Sequence, residues 1–461
     1  MSRRLSRILA SDVSVGGAPG GILYAWLLLV IVFEYARPSS FVPQLHAVPL
    51  NSILPLALLV ACVVASGLRS VKDIFSDGIA WWLVVYMIII SLGTLHADVT
   101  FRAFNTFKMC LGYAFLAFVI ARICTTRERI LGVFGALIAS HLFLLAMTPA
   151  VVLNPSQRNY IRGATFLGDG NDFALSLCIL IPFSIAIVRT RRTKLWRIVW
   201  TAISLLLVLA IVGTSSRGAT LGLLAVTGFL LLFSRRRAPA IVAALIAGAV
   251  VVAYAPPTYF TRVQTVTNYE EDSSATSRIS AWKSGARMGF HNPILGVGAG
   301  NFPNNFPKYR GPEAPSRWMT AHSMYFLALG ELGFPGVLTL LILVIGNVII
   351  SLRLHRRIFP RKMDEGSESP DSIVLLHVAA GGLGFAVAGA FLSVAYYPHI
   401  FVVGALAIAS RATILAARRG DRDDLRSKGY RDSDRIRGRP AGGQRLQIRK
   451  PGQTHARGMQ R

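Results

Sequence analysis

His322 opens the stretch AHSMYFLALGELGFPG, residues 321–336, a polar ring in an otherwise apolar run. Histidine is the side chain whose ordinary titration range straddles neutrality, so at a membrane surface it suits proton transfer from a hydroxyl. A lone interfacial histidine is more often structural. Arg217 sits in GTSSRG, residues 213–218, where two apolar runs meet with almost no loop. Holding a charge near a bilayer costs about 2.5–3.5 kcal/mol at worst. Such an arginine needs an anionic partner, either a protein carboxylate or a phosphate gripped bidentately.

Two more arginines lie in SSATSRISAWKSGARMGFHNP, residues 273–293, which reads as a helix capped by Ser or Thr and stopped before Pro293. Arg278 and Trp282 are four apart and share a face, whereas Arg287 is nine from Arg278 and points the other way. Trp282 gives the Arg278 face an apolar body suited to the membrane interface. Arg278 is therefore the better site candidate and Arg287 the fallback. ILGVGAGNF, residues 294–302, places glycines at 296, 298 and 300. That spacing permits close backbone approach with N–H groups turned to an anion, or simply a tight turn. Glu331, nine positions after His322, falls on the far side of a regular helix. It reads as a packing or capping residue at the break Gly333-Phe334-Pro335-Gly336. Arg162 stands in IRGATFLGDGND, residues 161–172, on another short connection.

The elements that position these residues are membrane spans. The 461 residues are 53% hydrophobic and only 15% charged, with mean hydropathy +0.51, where a soluble domain carries about 25% charged residues. Apolar runs long enough to cross a bilayer recur near 22–36, 52–68, 79–96, 104–121, 130–152, 172–188, 196–213, 218–233, 239–255, 322–350, 372–395 and 398–417. The fold expected is an all-α polytopic membrane protein of about twelve transmembrane helices. Residues 1–21 form an N-terminal segment, 22–255 spans one to nine, 256–321 a long loop, 322–417 spans ten to twelve, and 418–461 a basic, disordered tail. The first apolar run ends in Glu34-Tyr35-Ala36-Arg37-Pro38 without a small-residue cleavage site, so it reads as a retained span.

Charge sets the expected orientation. Alternate connections carry RSVKDIFSD, RICTTRER, RTRRTKLWR, SRRRA and SLRLHRRIFPRK, with 18 Lys and Arg among them. The short connections opposite hold five: Arg37, Arg102, Arg158, Arg162 and Arg217. By the positive-inside rule the basic loops and both termini face the cytoplasm, and the long loop faces outward. The net charge of +27 follows from this topology and from a C-terminal stretch, Arg411 to Arg461, that holds 15 of the 49 basic residues. It therefore speaks for membrane lipids as partners and against nucleic acid.

Cys62, Cys110, Cys124 and Cys178 lie in or beside apolar runs and stand at no metal or disulfide spacing. No Asp-x-Asp motif on a cytoplasmic loop, no Walker sequence and no His-Glu-x-x-His motif is present. Nothing calls for a cofactor, a metal or a nucleotide-activated donor.

Taken together, GTSSRGATLG, SRISAW…NPILGVGAGNF, AHSMYFLALGELGFPG and, more weakly, ATFLGDGNDFAL resemble the bacterial O-antigen ligase and O-antigen polymerase family. The strong part covers about residues 200–350. The resemblance implies a GT-C-like membrane glycosyltransferase of cell-surface polysaccharide synthesis, inverting and metal-independent, in the bacterial cytoplasmic membrane. It implies an undecaprenyl-diphosphate-linked glycan donor and, as acceptor, lipid A-core, a protein or a growing glycan. Arg217 and Arg278 would hold the donor diphosphate and His322 the acceptor hydroxyl. Arg287, Trp282, Gly296, Gly298, Arg162 and Tyr325 complete the candidate substrate-binding set. Gly170 departs from the proline expected in many relatives. A repeat-unit polymerase shares this chemistry. A lipid-linked glycan flippase would instead place ionisable residues deep in mid-span, and a scaffold would leave the Arg217, Arg278 and His322 set without a shared purpose.

Overall fold

A computed structural model describes residues 19–45, 50–65, 68–156, 159–163, 166–234, 237–257, 259–260, 273–312, 314, 318–359 and 369–437. Arg158, Arg235, Arg236, Arg361 and Lys362, counted above among the loop charges, and the tail beyond 437 lie outside the described residues. The described chain is helical, without strands: α1 Pro19–Ala36, α2 Leu50–Val64, α3 Val71–Phe75, α4 Gly78–His96, α5 Thr100–Ile123, α6 Arg127–Met147, α7 Ala150–Leu153, α8 Gly170–Thr190, α9 Lys194–Gly213, α10 Arg217–Phe233, α11 Arg237–Tyr254, α12 Ser273–His291, α13 Phe302–Tyr309, α14 Met324–Leu341, α15 Asn347–Ile358, α16 Pro370–Gly389 and α17 Pro398–Arg437. A π-helical turn, Ile342–Gly346, joins α14 to α15.

Nine of the described helical stretches are long and apolar enough to cross a membrane, α14 and α15 counting as one of 35 residues. Three shorter apolar helices, in α1, α2 and α10, fall at the remaining expected positions. The protein is thus a multi-pass membrane protein by length and composition. Most helices are apolar on all sides because they face either lipid or one another. Helix α16 is almost wholly buried and packs along α8, α10 and α15, whereas α11 buries none of its residues.

Caps fix the helix ends. Asp77, Thr126, Asp169 and Ser216 each accept a backbone N–H from the first turn of the helix that follows. At the basic end of the bundle, arginines satisfy the last carbonyls of helices. Arg69 donates to Ala121 O at 3.0 Å, Arg122 to Cys62 O at 3.2 Å and Arg129 to Ile123 O at 2.9 Å. There too, the buried Arg411 donates to both Asp77 carboxylate oxygens, at 2.6 and 2.9 Å, and to Asn347 and Ser351.

Three expectations need correcting. The eleventh apolar run does not stay helical to residue 395: α16 ends at Gly389, and residues 390–397 form a turn before Pro398. The residue before a proline is pushed out of the helical region, so FLSVAYYP ends as connection despite its apolar composition. His322 does not belong to the following helix. Its φ of 48° is left-handed, and α14 begins at Met324. The last helix continues to Arg437, where a disordered tail from 418 was expected. Arg419 and Asp423, like Asp424 and Lys428, stand four apart, a spacing that favours helix. Residues 1–414 form one compact unit and 415–461 a second.

Candidate active site

Loop ends gather opposite the arginine-capped end of the bundle: 37–45, 97–99, 214–216, 390–397, and the described residues of 148–169 and of the long connection ahead of α14. Three of these carry the sequence candidates. In the first, α9 ends at Gly213 and the chain turns through Thr214 and Ser215, the latter at φ 53°. Ser216 caps α10 through its hydroxyl, 3.4 Å from the Ala219 N–H, so Arg217 is the first residue of the new helix, half-buried. Gly218 lets α10 close on the 390–397 turn, since a Cβ there would stand 3.2 Å from the Phe391 Cβ.

In the second, α12 packs along α14. Trp282, one turn after the half-buried Arg278, stacks on Phe326 with centroids 5.6 Å apart and planes 11° apart. It also lies 6.3 Å from the Phe391 ring, and its indole N–H donates to His322 O at 3.4 Å. In the third, the His322 N–H donates to Ser393 Oγ at 2.8 Å, and the Thr320 hydroxyl donates to the same oxygen at 2.8 Å. The histidine is therefore held by its backbone at both N–H and C=O, in a conformation a non-glycine residue adopts only when its surroundings dictate it.

The turn 390–397 is the hub. Phe391 meets both Gly218, beside Arg217, and Trp282, beside Arg278, while Ser393 holds His322. The segments that carry Arg217, Arg278 and His322 thus each meet this turn. Chemically, such a set can hold an anion and receive or give a proton beside it. Among the described residues no group of three His, Cys, Asp or Glu side chains is arranged to hold a metal ion.

The other candidates do different work. Arg287 is exposed and donates to Tyr309 O at 3.0 Å, which ties α12 to α13. Tyr325 donates its hydroxyl to Ala386 O at 3.0 Å, latching α14 to α16. Arg162 is exposed, and its N–H donates to Thr148 Oγ1 at 3.1 Å. Gly296, Gly298 and Gly300 all have positive φ, so glycine is what the turn requires. Their amides are taken up internally, Gly296 N–H by Asn292 O and Gly298 N–H by Glu331 O. The Glu331 carboxylate accepts the Gly300 and Phe302 N–H groups at 2.7 Å each. Glu331 is therefore a clamp on the glycine turn. Gly333, at φ 69° and ψ −166°, breaks α14 just beyond it.

Ser393, Phe391 and Thr320 had no sequence signal. The first two lie in a run that reads as the end of a span, and a hydrogen bond to a backbone N–H leaves no spacing pattern.

The O-antigen ligase family model matches residues 202–341. No curated protein matches the chain. The matched stretch begins within α9 and ends at the close of α14, so it takes in Arg217, α12, the glycine turn and His322. The resemblance to the O-antigen ligase and polymerase family stands on that stretch.

Proposed function

We propose that the chain is a membrane glycosyltransferase that moves a glycan from an undecaprenyl-diphosphate carrier to an acceptor hydroxyl, working at the outer face of the bacterial cytoplasmic membrane with both termini inside. What supports this reading is that Gly218 next to Arg217, Trp282 one turn from Arg278, and the His322 backbone all contact the 390–397 turn. In the step proposed, the bond between the anomeric carbon and the carrier's diphosphate oxygen breaks, and that oxygen keeps the electron pair. The acceptor oxygen forms the new bond from the opposite face, inverting the centre. Its proton passes to the His322 imidazole and on to solvent. Arg217 and Arg278 meet the charge that grows on the leaving diphosphate. Cations preorganised in this way supply the greater part of the rate enhancement, and the histidine adds about 10²–10⁴-fold.

A ligase passing finished glycan to lipid A-core or protein is the reading preferred over a polymerase extending chains on the carrier. Reconstitution with an undecaprenyl-diphosphate-linked glycan and a choice of acceptors tests it. Product on lipid or protein means ligase, longer chains on the carrier mean polymerase, and translocation without transfer means a flippase. Arg217→Ala, Arg278→Ala and His322→Ala should each abolish transfer at unchanged abundance, and EDTA should leave wild-type transfer intact. Normal transfer by all three variants would sink the site assignment.

A further inference from the structure

A second polar assembly lies at the same end of the bundle and has no part in the chemistry above. His141 on α6, Ser176 on α8 and His399 on α17 are all buried, at 0, 1 and 3% exposure. They form one hydrogen-bonded line. His141 Nδ1 lies 2.8 Å from Leu137 O, His141 Nε2 lies 2.7 Å from Ser176 Oγ, and Ser176 Oγ lies 2.7 Å from His399 Nε2.

For neutral rings the proton positions follow from the chain's end. A carbonyl only accepts, so His141 Nδ1 carries the proton and its Nε2 is bare. The Ser176 hydroxyl must then donate to His141, so its oxygen accepts from His399 Nε2–H. The His399 proton is thereby committed to Nε2, and its Nδ1 is a bare acceptor. That Nδ1 is buried and has no partner, an arrangement costly to keep inside a membrane protein unless something meets it.

Four aromatic rings surround the His399 imidazole. Phe385 is stacked at 5.9 Å and Tyr397 at 6.3 Å, while Tyr35 at 5.5 Å and Phe166 at 5.9 Å are edge-on. Phe166 and Tyr397 are half-buried, 5.5 Å apart, and form the outer lip. The Tyr397 hydroxyl donates to Asp172 Oδ2 at 2.9 Å, and the Arg37 guanidinium lies 5.9 Å from the Phe166 centroid. Burial first, and the Asp172 carboxylate second, push the Tyr397 hydroxyl up, so it stays a donor. Tyr397 closes the same turn whose Ser393 holds His322, and Gly170, on the Asp172 helix, packs against Thr214 three residues before Arg217. The two assemblies are neighbours.

We propose that this lip and the histidine beneath it form a sugar-binding subsite. The Phe166 and Tyr397 faces take a pyranose ring, Asp172 accepts a hydroxyl, and His399 Nδ1 accepts the innermost hydroxyl or its bridging water. Aromatic faces beside a carboxylate and a guanidinium are what a hydroxyl-rich, C–H-faced ring needs. The inference rests on the glycan-transfer reading. It deepens that reading by adding a glycan contact outside the matched residues 202–341.

Two substitutions at one residue separate this role from helix pinning. His399→Asn keeps an acceptor where Nδ1 was and loses the Ser176 bond. His399→Gln keeps a donor toward Ser176 and loses the Nδ1 acceptor. Calorimetric titration of the full chain in nanodiscs, with a soluble oligosaccharide acceptor in one arm and an undecaprenyl-diphosphate-linked oligosaccharide in the other, reads binding apart from transfer. His399→Gln should weaken one arm about tenfold, the loss of one hydrogen bond, and the affected arm says whether the ring belongs to acceptor or donor. His399→Asn should stay within about threefold of wild type. The reverse order, or two normal variants, overturns the subsite. Should both histidine variants fail to accumulate, Phe166→Leu decides: weakened binding at normal abundance supports the proposal, and unchanged binding ends it. A wild type that binds sugar yet transfers none refutes the function reading alone.

Discussion

Replacing Glu331 with alanine should loosen the glycine turn without unfolding the bundle. Its side chain is 1% exposed, and its two oxygens accept the amides of Gly300 and Phe302 at 2.7 Å each. Each buried donor left without an acceptor costs about 1–3 kcal/mol. The Phe302 amide is fully buried and the Gly300 amide is nearer water, so the pair should cost about 2–4 kcal/mol. That is roughly a thirtyfold to a thousandfold rise in local opening. Glu331→Gln retains one acceptor and should lose about half as much. Amide hydrogen exchange at Gly300 and Phe302, read in nanodiscs, is the direct assay. Because the turn lies between α12, which carries Arg278, and α14, which follows His322, transfer should fall in the same order. If Glu331→Ala leaves both amides exchanging as slowly as wild type, the clamp does not exist and the turn is held by its backbone bonds to Asn292, Gly330 and Glu331 alone.

Two further substitutions probe the site's frame. Ser393→Ala removes the acceptor shared by the His322 N–H and the Thr320 hydroxyl. It should lower kcat about tenfold or more with KM for the donor little changed, with Ser393→Thr restoring most of the rate; an unaltered kcat would show that His322 needs no such support. Arg287→Ala removes one exposed bond to Tyr309 O. Stability should change by no more than about 1 kcal/mol and transfer should stay near normal, while a dead Arg287→Ala beside an active Arg278→Ala would reverse their assignment.

How far these residues were legible from the chain depends on how local their partners are. Apolar runs and their caps are local, so all but one of the expected spans start within three residues of the helices found, and the Arg278–Trp282 face follows from a spacing of four. The 390–397 turn was not legible, because its apolar residues pack against neighbouring helices, Phe391 on Gly218 and Trp282, and composition alone cannot tell that from a span. The His322 conformation was hidden for the same reason: Trp282 and Ser393, 40 and 71 positions away, impose it. Glu331 shows most clearly where sequence reasoning divides. The alternating glycines announced backbone N–H groups ready for an anionic group, and the break at Gly333 announced a cap. Each half was readable, but the pairing was not. The acceptor that fills the glycine turn is a carboxylate from the protein itself, 31 residues on from Gly300 and two residues before the break at Gly333. A cradle built for an acceptor is thus no evidence for a ligand until the chain's own carboxylates have been placed.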